Sequence, residues 1–342
     1  MYLETDTLLT TAQAMMMQGK GILAADESMG TIGKRFQKVN LDSTPKLRQA
    51  YREMLFTAPG IEQYISSVIL FDETIRQRSS KGVPFPVLLR ERGIIPGIKV
   101  DRGTSEIPFS PEEKVTEGLD GLRERLLEYR ELGAQFCKWR AVFSISCDTP
   151  TDICISSNVH ALARYAALCQ EVNLVPMIEP EVLMDGDHDI ETCARVTLRV
   201  NNLLFKELLD HKVKLEGAIL KPNMVLPGKE SERRADVSEI AQSTVRCFNR
   251  TVPPAVCGIA FLSGGQSPFE ATENLNAINK SGSYPWRLTF SFSRALQQHP
   301  LEIWRGKEEK VKEAQAAFVH RARCNSAAST GNYTKELEEH FE

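Results

Sequence analysis

The chain has 342 residues, of which 42% are apolar and 25% charged, with a formal net charge of -3. This composition is typical of globular proteins and supplies enough apolar side chains for a large core. The small net charge, with no basic cluster interleaved with aromatic residues, argues against a nucleic-acid partner. No apolar stretch reaches the length of a membrane span, so we expect no membrane partner.

The eight cysteines form no CxxC pair and no repeated spacing. Several lie within apolar runs, where a free thiol behaves as a small hydrophobic side chain. They favour a reducing compartment over a disulfide framework. The first residues include Glu4 and Asp6 and lack the basic start of a secretory signal, which predicts a cytoplasmic protein.

Eight short apolar runs along the chain are predicted strands. Longer amphipathic stretches separate them, with helical periodicity over residues 188–210 and 307–322. The predicted strands cover residues 21–25, 67–71, 93–100, 135–143, 174–178, 215–220, 255–262 and 286–292.

Two Ser-Pro-x-Glu segments have the signature of a helix start. In each, serine is an N-cap, proline occupies the first turn and glutamate completes a capping box. Ser110 is predicted to open a helix whose apolar stripe runs from Val115 to Tyr129, and Ser267 to open another after the seventh strand.

Strands that alternate with helices predict parallel pairing, and continuous apolar strands predict burial on both faces. Eight such units favour an α/β fold of one domain, a (β/α)8 TIM barrel over residues 1–325. No GxGxxG or P-loop motif supports an open doubly wound sheet. Residues 326–342 are small, polar and acidic, which predicts a loosely held C-terminal tail.

Ionisable or hydroxyl side chains stand at nearly every predicted strand end. In a barrel these ends form the active-site face, so the side chains would converge. Because burying many charges is costly, we expect them to pair with one another or with a ligand. An excess of cations predicts an anionic substrate. The converging residues include Asp26, Lys99, Lys138, Arg140, Glu179, Glu181, Lys221, Ser263 and Ser291.

Two regions are predicted to bind phosphate. After the seventh strand, Ser263-Gly264-Gly265 offers a hydroxyl and backbone amides beside a helix start, and Ser291, Ser293 and Arg294 follow the eighth. Loops after strands seven and eight are the usual phosphate site of such barrels. A second, more distant group would hold another phosphate and consists of Ser28, Thr31, Arg35 and Lys99.

Lys221 ends an apolar run and precedes Pro222, so its amine would point into the mouth of the barrel. A buried ammonium ion is unfavourable, so such a lysine tends to lose its proton and act as a nucleophile; the alternative is a lysine extending to water. Lys221 would form a Schiff base with a carbonyl substrate, Glu179 would expel water, and Asp26 would take the hydroxyl proton when a carbon–carbon bond breaks. No metal or cofactor is needed. The rival electron sink is a metal ion, and the loop around His188 is interpreted instead as a helix start.

These segments resemble class I (Schiff-base) fructose-bisphosphate aldolase. The resemblance extends from about Gly19 to Tyr333 and implies a tetrameric (β/α)8 lyase of glycolysis and gluconeogenesis. Its substrate would be fructose 1,6-bisphosphate, cleaved reversibly to dihydroxyacetone phosphate and glyceraldehyde 3-phosphate. The matching segments are residues 19–28, 97–101, 138–140, 179–181, 221–224, 261–266 and 288–294.

The resemblance also implies roles for individual residues. Lys221 would be the Schiff-base lysine, Glu179 the acid/base and Asp26 the base. Lys138 would be the cation that assists these steps, and Glu181 a supporting carboxylate. The residues implied to hold one phosphate are Ser263, Gly264, Gly265, Ser291, Ser293 and Arg294. Those implied at the other end of the substrate are Ser28, Thr31, Lys99, Arg35 and Arg140.

Two departures from the family pattern bear on the mechanism. Ser293 stands where the family usually has glycine, and its amide can still donate unless the backbone there requires positive φ. Animal members end in a tyrosine on a flexible tail, whereas Phe341-Glu342 stands at this end and Tyr333 lies upstream. The proton exchange on the dihydroxyacetone phosphate imine would then be slower or use another group.

Two other functions are compatible with the fold. A catalytically silent barrel would act as a scaffold or sugar-phosphate binder, and is disfavoured because every catalytic type of side chain is present at its strand end. Another Schiff-base barrel enzyme, such as a transaldolase, is disfavoured by two phosphate sites. Fructose 1-phosphate and sedoheptulose bisphosphate stay open as substrates.

Overall fold

The computed structural model describes residues 2–339 and, within them, the side chains from residue 7 onward. Eight parallel strands close into a barrel in the order β1-β10-β9-β8-β7-β6-β3-β2. The predicted (β/α)8 barrel of the α/β class is therefore confirmed. The barrel strands are β1 (Gly21–Ala25), β2 (Ile65–Leu70), β3 (Ile95–Lys99), β6 (Phe136–Phe143), β7 (Val175–Val182), β8 (Ile219–Leu220), β9 (Gly258–Phe261) and β10 (Arg287–Phe292).

Helices pack around the barrel, and a hairpin of β4 (Thr104–Ile107) and β5 (Ser110–Thr116) lies outside it. Short 3-10 turns occur at Ile61–Gln63, Leu215–Gly217 and Glu308–Lys310. The helices are α1 (Tyr2–Met15), α2 (Met29–Gln37), α3 (Pro45–Phe56), α4 (Asp72–Arg76), α5 (Phe85–Glu91), α6 (Leu122–Glu131), α7 (Asp152–Glu171), α8 (Ile190–Asp210), α9 (Val237–Thr251), α10 (Pro268–Lys280), α11 (Arg294–Trp304), α12 (Val311–Ala328) and α13 (Glu336–Glu339).

The prediction of a helix that begins at Ser110 is wrong, because that segment is strand β5. The glutamate of the supposed capping box, Glu113, is buried and accepts hydrogen bonds from the backbone and hydroxyl of Thr151, at the start of α7. Phe109, at φ 67°, turns the chain between β4 and β5. By contrast, Ser267 and Glu270 form the predicted capping box at the start of α10.

Strand β7 continues past Pro180 to Val182, so the predicted end of this strand at residue 178 is wrong. Ile178 accepts the backbone N–H of Lys221, and Pro180, two residues on, faces the same side. Since β8 has already ended at Leu220, the missing N–H of Pro180 breaks no bond to that neighbour. The strand predicted over 215–220 is correspondingly short, its first part being a 3-10 turn.

The inside of the barrel is filled by inward-facing side chains, and α1 contributes to the same apolar cluster through Leu8, Ala12, Met15 and Met16. Glycines on β3 and β9 leave room for large neighbours. A Cβ on Gly97 would lie 2.3 Å from the ring of Phe136, and one on Gly258 would lie 2.4 Å from Met16. These close contacts account for the interruption of apolar strands by glycine.

The C-terminal segment packs against the barrel to a greater extent than the predicted loose tail implies. Helix α12 continues to Ala328, and Ser326 donates a hydrogen bond to the carbonyl of Gly19 at 2.5 Å. Tyr333 is buried, and Glu338 forms an ion pair with Arg321. The domain boundary at residue 325 stays a prediction, and the terminal Phe341-Glu342 lies outside the described residues.

Candidate active site

The centre of the barrel mouth is a buried ammonium group between two carboxylates. Lys138 projects from β6, and its Nζ lies 2.7 Å from Oδ2 of Asp26, which follows β1, and 3.1 Å from Oε2 of Glu179 on β7. All three side chains are at least nine-tenths buried. The barrel thus brings together groups from three strands that the sequence separates widely.

Lys221 completes this cluster. It directly follows β8, is buried, and its Nζ lies 3.1 Å from Oε1 of Glu179. Its position is fixed by the flanking backbone, because its N–H donates to Ile178 and the next carbonyl, that of Pro222, accepts from Leu262. Lys221 therefore points into the mouth, as predicted, instead of extending to water.

Charge pairing outweighs burial at this cluster. Burial pushes the pKa of Asp26 upward, but the charges of Lys138 and Lys221 hold it well below its ordinary value. The pKa of Glu179 is lowered for the same reasons, burial opposing and Lys138 and Lys221 prevailing. Conversely, burial disfavours the charge of Lys138, but Asp26 and Glu179 raise its pKa. Both carboxylates are thus ionised at neutral pH and available as bases.

Two further ion pairs extend the site along β3, β6 and β7. Arg140 donates through Nε to Glu181, and Lys99 Nζ lies 2.5 Å from Oδ1 of Asp101. Lys99, Asp101 and Arg140 border a cavity of about 910 Å³ that is also lined by Asp26, Ser28, Thr31 and Lys138. Ser28 is the N-cap of α2 and accepts from the backbone of Thr31. The cavity is large enough for a small phosphorylated metabolite.

The loops after β9 and β10 carry the other predicted phosphate residues. Ser263 is buried, and Gly264 and Gly265 have φ values of 54° and 98°, in the region that favours glycine. The hydroxyl of Ser291 is buried without a hydrogen-bond partner among the described residues. Arg294 is exposed at the start of α11. A buried hydroxyl without a partner, next to the glycine-containing loop that follows β9, is suited to an anion.

The departure at Ser293 is accommodated by the backbone. Its φ is -108°, so no positive φ is required and a serine fits without strain. Its hydroxyl donates to Glu27 at 2.8 Å and accepts from Arg35 at 3.0 Å. Arg35 also forms an ion pair with Glu27, so its guanidinium is already held.

Glu27 was not predicted from the sequence and organises this region. It is buried next to Asp26 in the chain, forms ion pairs with Arg35 and Arg52, and accepts from Gln297 at 3.0 Å. Burial opposes its charge, but the two arginines lower the pKa of Glu27. Its only signal in the sequence is its place immediately after a strand-end aspartate.

The loop around His188 is a helix start, as interpreted from the sequence. Asp189 is the N-cap of α8 and accepts from the backbone of Thr192. His188 is buried, and neither of its ring nitrogens has a hydrogen-bond partner among the described residues. The hydroxyl of Tyr333 is engaged in the C-terminal segment, where it donates to Glu338 at 2.8 Å.

Comparison with known proteins identifies the family. The family model described as "fructose-bisphosphate aldolase class-I" matches residues 7–342. The chain belongs to this family. "Fructose-bisphosphate aldolase 4, cytosolic" of Arabidopsis thaliana is 53% identical over 97% of this chain and 84% of the relative. "Probable fructose-bisphosphate aldolase class 1" of Xylella fastidiosa is 52% identical over 96% of this chain and 98% of the relative.

The fold agrees with that of solved aldolases. A structure of fructose-bisphosphate aldolase from Plasmodium falciparum, in complex with TRAP and a small molecule inhibitor, matches with a TM-score of 0.96. It is 50% identical and covers 97% of this chain and 96% of that one. The predicted family and its lyase activity, reversible cleavage of fructose 1,6-bisphosphate, are confirmed.

Several relatives carry the word cytosolic in their names, and bacterial relatives are also present. Within residues 2–339, the structure contains no helix that is both long enough and apolar enough to span a membrane.

The substitution Lys138→Met tests the central ion pairs. It leaves two buried carboxylates without their common cation, so we expect a loss of about 3–5 kcal/mol in the free energy of unfolding. In this variant Glu179 keeps Lys221 as a partner, but Asp26 loses its contact cation, so the folded-state pKa of Asp26 would rise above its unfolded value. Stability should then increase as the pH falls from 7 to 5. Wild type should show the opposite sign at lower pH: its depressed carboxyl pKa values stabilise the fold above about pH 4 and lose that contribution below it.

Urea unfolding at several pH values measures both effects. Lys206→Met is the matched control, because Lys206 forms an exposed pair with Asp210. An exposed pair contributes at most about 1 kcal/mol, so this variant should resemble wild type at every pH. Equal losses in the two variants would contradict the central role of Lys138.

Proposed function

We propose that Lys221 is the Schiff-base nucleophile of the aldol cleavage. We propose also that Glu179 and Asp26 transfer the protons of the reaction and that Lys138 assists them. The observation that carries this proposal is the buried contact of Lys221 with Glu179, at 3.1 Å, beside the pairing of Lys138 with Asp26. Glu181 supports the site by holding Arg140.

In the first stage, Glu179 accepts a proton from the Lys221 ammonium group, with which it is in contact. The free amine adds to the C2 carbonyl of the ketose and gives a carbinolamine. Glu179 returns its proton to the carbinolamine hydroxyl, which leaves as water and gives the iminium ion. Because its pKa is lowered, Glu179 is ionised, which is the form that can accept a proton at the start of this stage.

In the second stage, Asp26 takes the proton of the C4 hydroxyl. The C3–C4 bond breaks, its electron pair moves toward the iminium nitrogen, and glyceraldehyde 3-phosphate leaves. Protonation of the resulting enamine at C3 and hydrolysis of the imine release dihydroxyacetone phosphate and regenerate Lys221. The ammonium group of Lys138 stabilises the ionised form of Asp26 before it takes this proton.

The two phosphates occupy opposite sides of the mouth. Strand β9 adjoins β8, so the loops after β9 and β10 lie beside Lys221 and would hold the phosphate on C1. The group on β3 and α2 would hold the phosphate on C6. The C1 site consists of Ser263, Gly264, Gly265, Ser291, Ser293 and Arg294, and the C6 site of Ser28, Thr31, Lys99 and Arg140. Arg35, which the resemblance assigns to the C6 end, donates to Ser293 and so lies beside the C1 site.

Borohydride trapping tests the nucleophile. Reduction in the presence of dihydroxyacetone phosphate should attach a three-carbon phosphate to Lys221, located by peptide mass spectrometry, and Lys221→Met should abolish both the adduct and cleavage. Lys138→Met is a control for attachment, because it removes a neighbouring cation and leaves the Lys221 amine in place. Attachment at any other lysine of the wild type, or none, would overturn the assignment of Lys221.

Lys99→Met tests the C6 site. Loss of a charged hydrogen bond of about 1.5–3 kcal/mol should raise KM for fructose 1,6-bisphosphate by roughly 10- to 100-fold. Cleavage of fructose 1-phosphate, which has no C6 phosphate, should change little. Arg294→Met is the matched control, because a C1-site variant should weaken both substrates. The assignment of the sites would be wrong if Lys99→Met impaired both substrates equally.

We also propose a cytoplasmic homotetramer. Family membership and the cytosolic names of relatives support it. Light scattering should give four times the chain mass of 38.3 kDa. A particle of a single chain mass at micromolar concentration would contradict the tetramer and leave the catalytic assignment untouched.

A further inference from the structure

Two histidines and a glutamate meet on the outer wall of the barrel, away from the mouth. His160 lies on α7, Glu207 lies on α8, and His211 is the C-cap of α8. Each offers a ligand atom, and these atoms lie within 4.8 Å of one another. His160 Nδ1 is 3.0 Å from Oε2 of Glu207.

This spacing suits a small divalent ion. Zinc binds histidine nitrogen and carboxylate oxygen at about 2.0–2.2 Å, which places tetrahedral ligands roughly 3.3–3.6 Å apart. Glu207 and His211 stand one helical turn apart on the same face of α8. The packed neighbouring helix α7 supplies the third group, so two rigid elements define the cluster.

The ring of His211 is already oriented by a backbone acceptor. Its Nδ1 lies 2.9 Å from the carbonyl oxygen of Glu207. A neutral ring that donates there has its lone pair on Nε2, and metal-binding histidines usually have such a partner on the other nitrogen. The ring centroids of His160 and His211 are 5.0 Å apart, close enough to face one ion.

We propose that His160, Glu207 and His211 form a binding site for one zinc-like divalent ion, with water completing its coordination. The helix α8 ends here before the chain enters β8, so the site lies near the opposite end of that strand from Lys221. The ion would join α7 to α8 and stabilise the folded chain without contacting the substrate.

A second cluster of metal-binding side chains is less suitable. His320, Cys324 and Glu338 also lie within range of one another. Both oxygens of Glu338 are engaged by Arg321, and burial raises the pKa of the Cys324 thiol to about 11, which opposes formation of a thiolate ligand. This cluster serves as an internal comparison.

Titration with Co²⁺ and Zn²⁺ tests the proposal on the intact protein. Co²⁺ should give one equivalent of tetrahedral visible absorption that Zn²⁺ abolishes, and Zn²⁺ should raise Tm in proportion to its occupancy. His160→Gln and His211→Gln should each weaken binding at least tenfold and remove the rise in Tm, with kcat unchanged. His299→Gln is the matched control, since it removes another exposed histidine and should bind as wild type does.

Three outcomes would overturn the proposal. They are the absence of binding in the wild type, unchanged binding in both histidine variants, and binding that is lost in Cys324→Ser or in Cys147→Ser. Cys147 is included because its thiol is exposed. These results concern metal affinity and stability, so they leave the assignment of Lys221 to be judged separately by borohydride trapping.

Discussion

The site depends on one buried ammonium group that neutralises two carboxylates. Lys138 contacts Asp26 and Glu179, and each of these would be strongly disfavoured as a buried anion on its own. Because the three groups come from β6, β1 and β7, their pairing requires the closed barrel to be in register. The same pairing keeps the carboxylates charged at neutral pH. The ion pairs of Lys138 therefore both stabilise the fold and keep the catalytic carboxylates charged.

The sequence predicted the barrel and the converging strand ends because both are local signals. Apolar runs followed by Asp26, Lys138 or Lys221 can be recognised without knowledge of their neighbours. The wrong prediction of a helix at Ser110 shows that a local sequence pattern does not always determine the local structure. Its Ser-Pro-x-Glu pattern matches that of Ser267, but Glu113 accepts hydrogen bonds from the backbone and hydroxyl of Thr151, 38 residues away, as well as from the hydroxyl of Ser110. Tertiary contact overrides the capping preference there.

The sequence could not predict the side chains with which the site residues pair either. Arg35 is a basic residue near a predicted phosphate site, yet its guanidinium is held by Glu27 and by Ser293, which lies 258 residues away. The backbone conformation of Ser293 was likewise not predictable from the sequence. The sequence identified it as a departure from a glycine position, whereas only the backbone φ of -108° shows that serine is tolerated there. Its hydroxyl adds a hydrogen bond that glycine lacks.

The central cluster holds two lysines and two carboxylates, which balances its charge before substrate arrives. The proposed steps preserve this balance. When Glu179 takes a proton from Lys221 and returns it to the departing hydroxyl, the nitrogen regains its positive charge as the iminium ion. The buried site therefore ends that stage with the charges it had at the start, and no new ion needs to be solvated in a low-dielectric interior. An ionised carboxylate in contact with the lysine therefore suits imine chemistry, because it can accept the proton of Lys221 and then stabilise the iminium ion that follows.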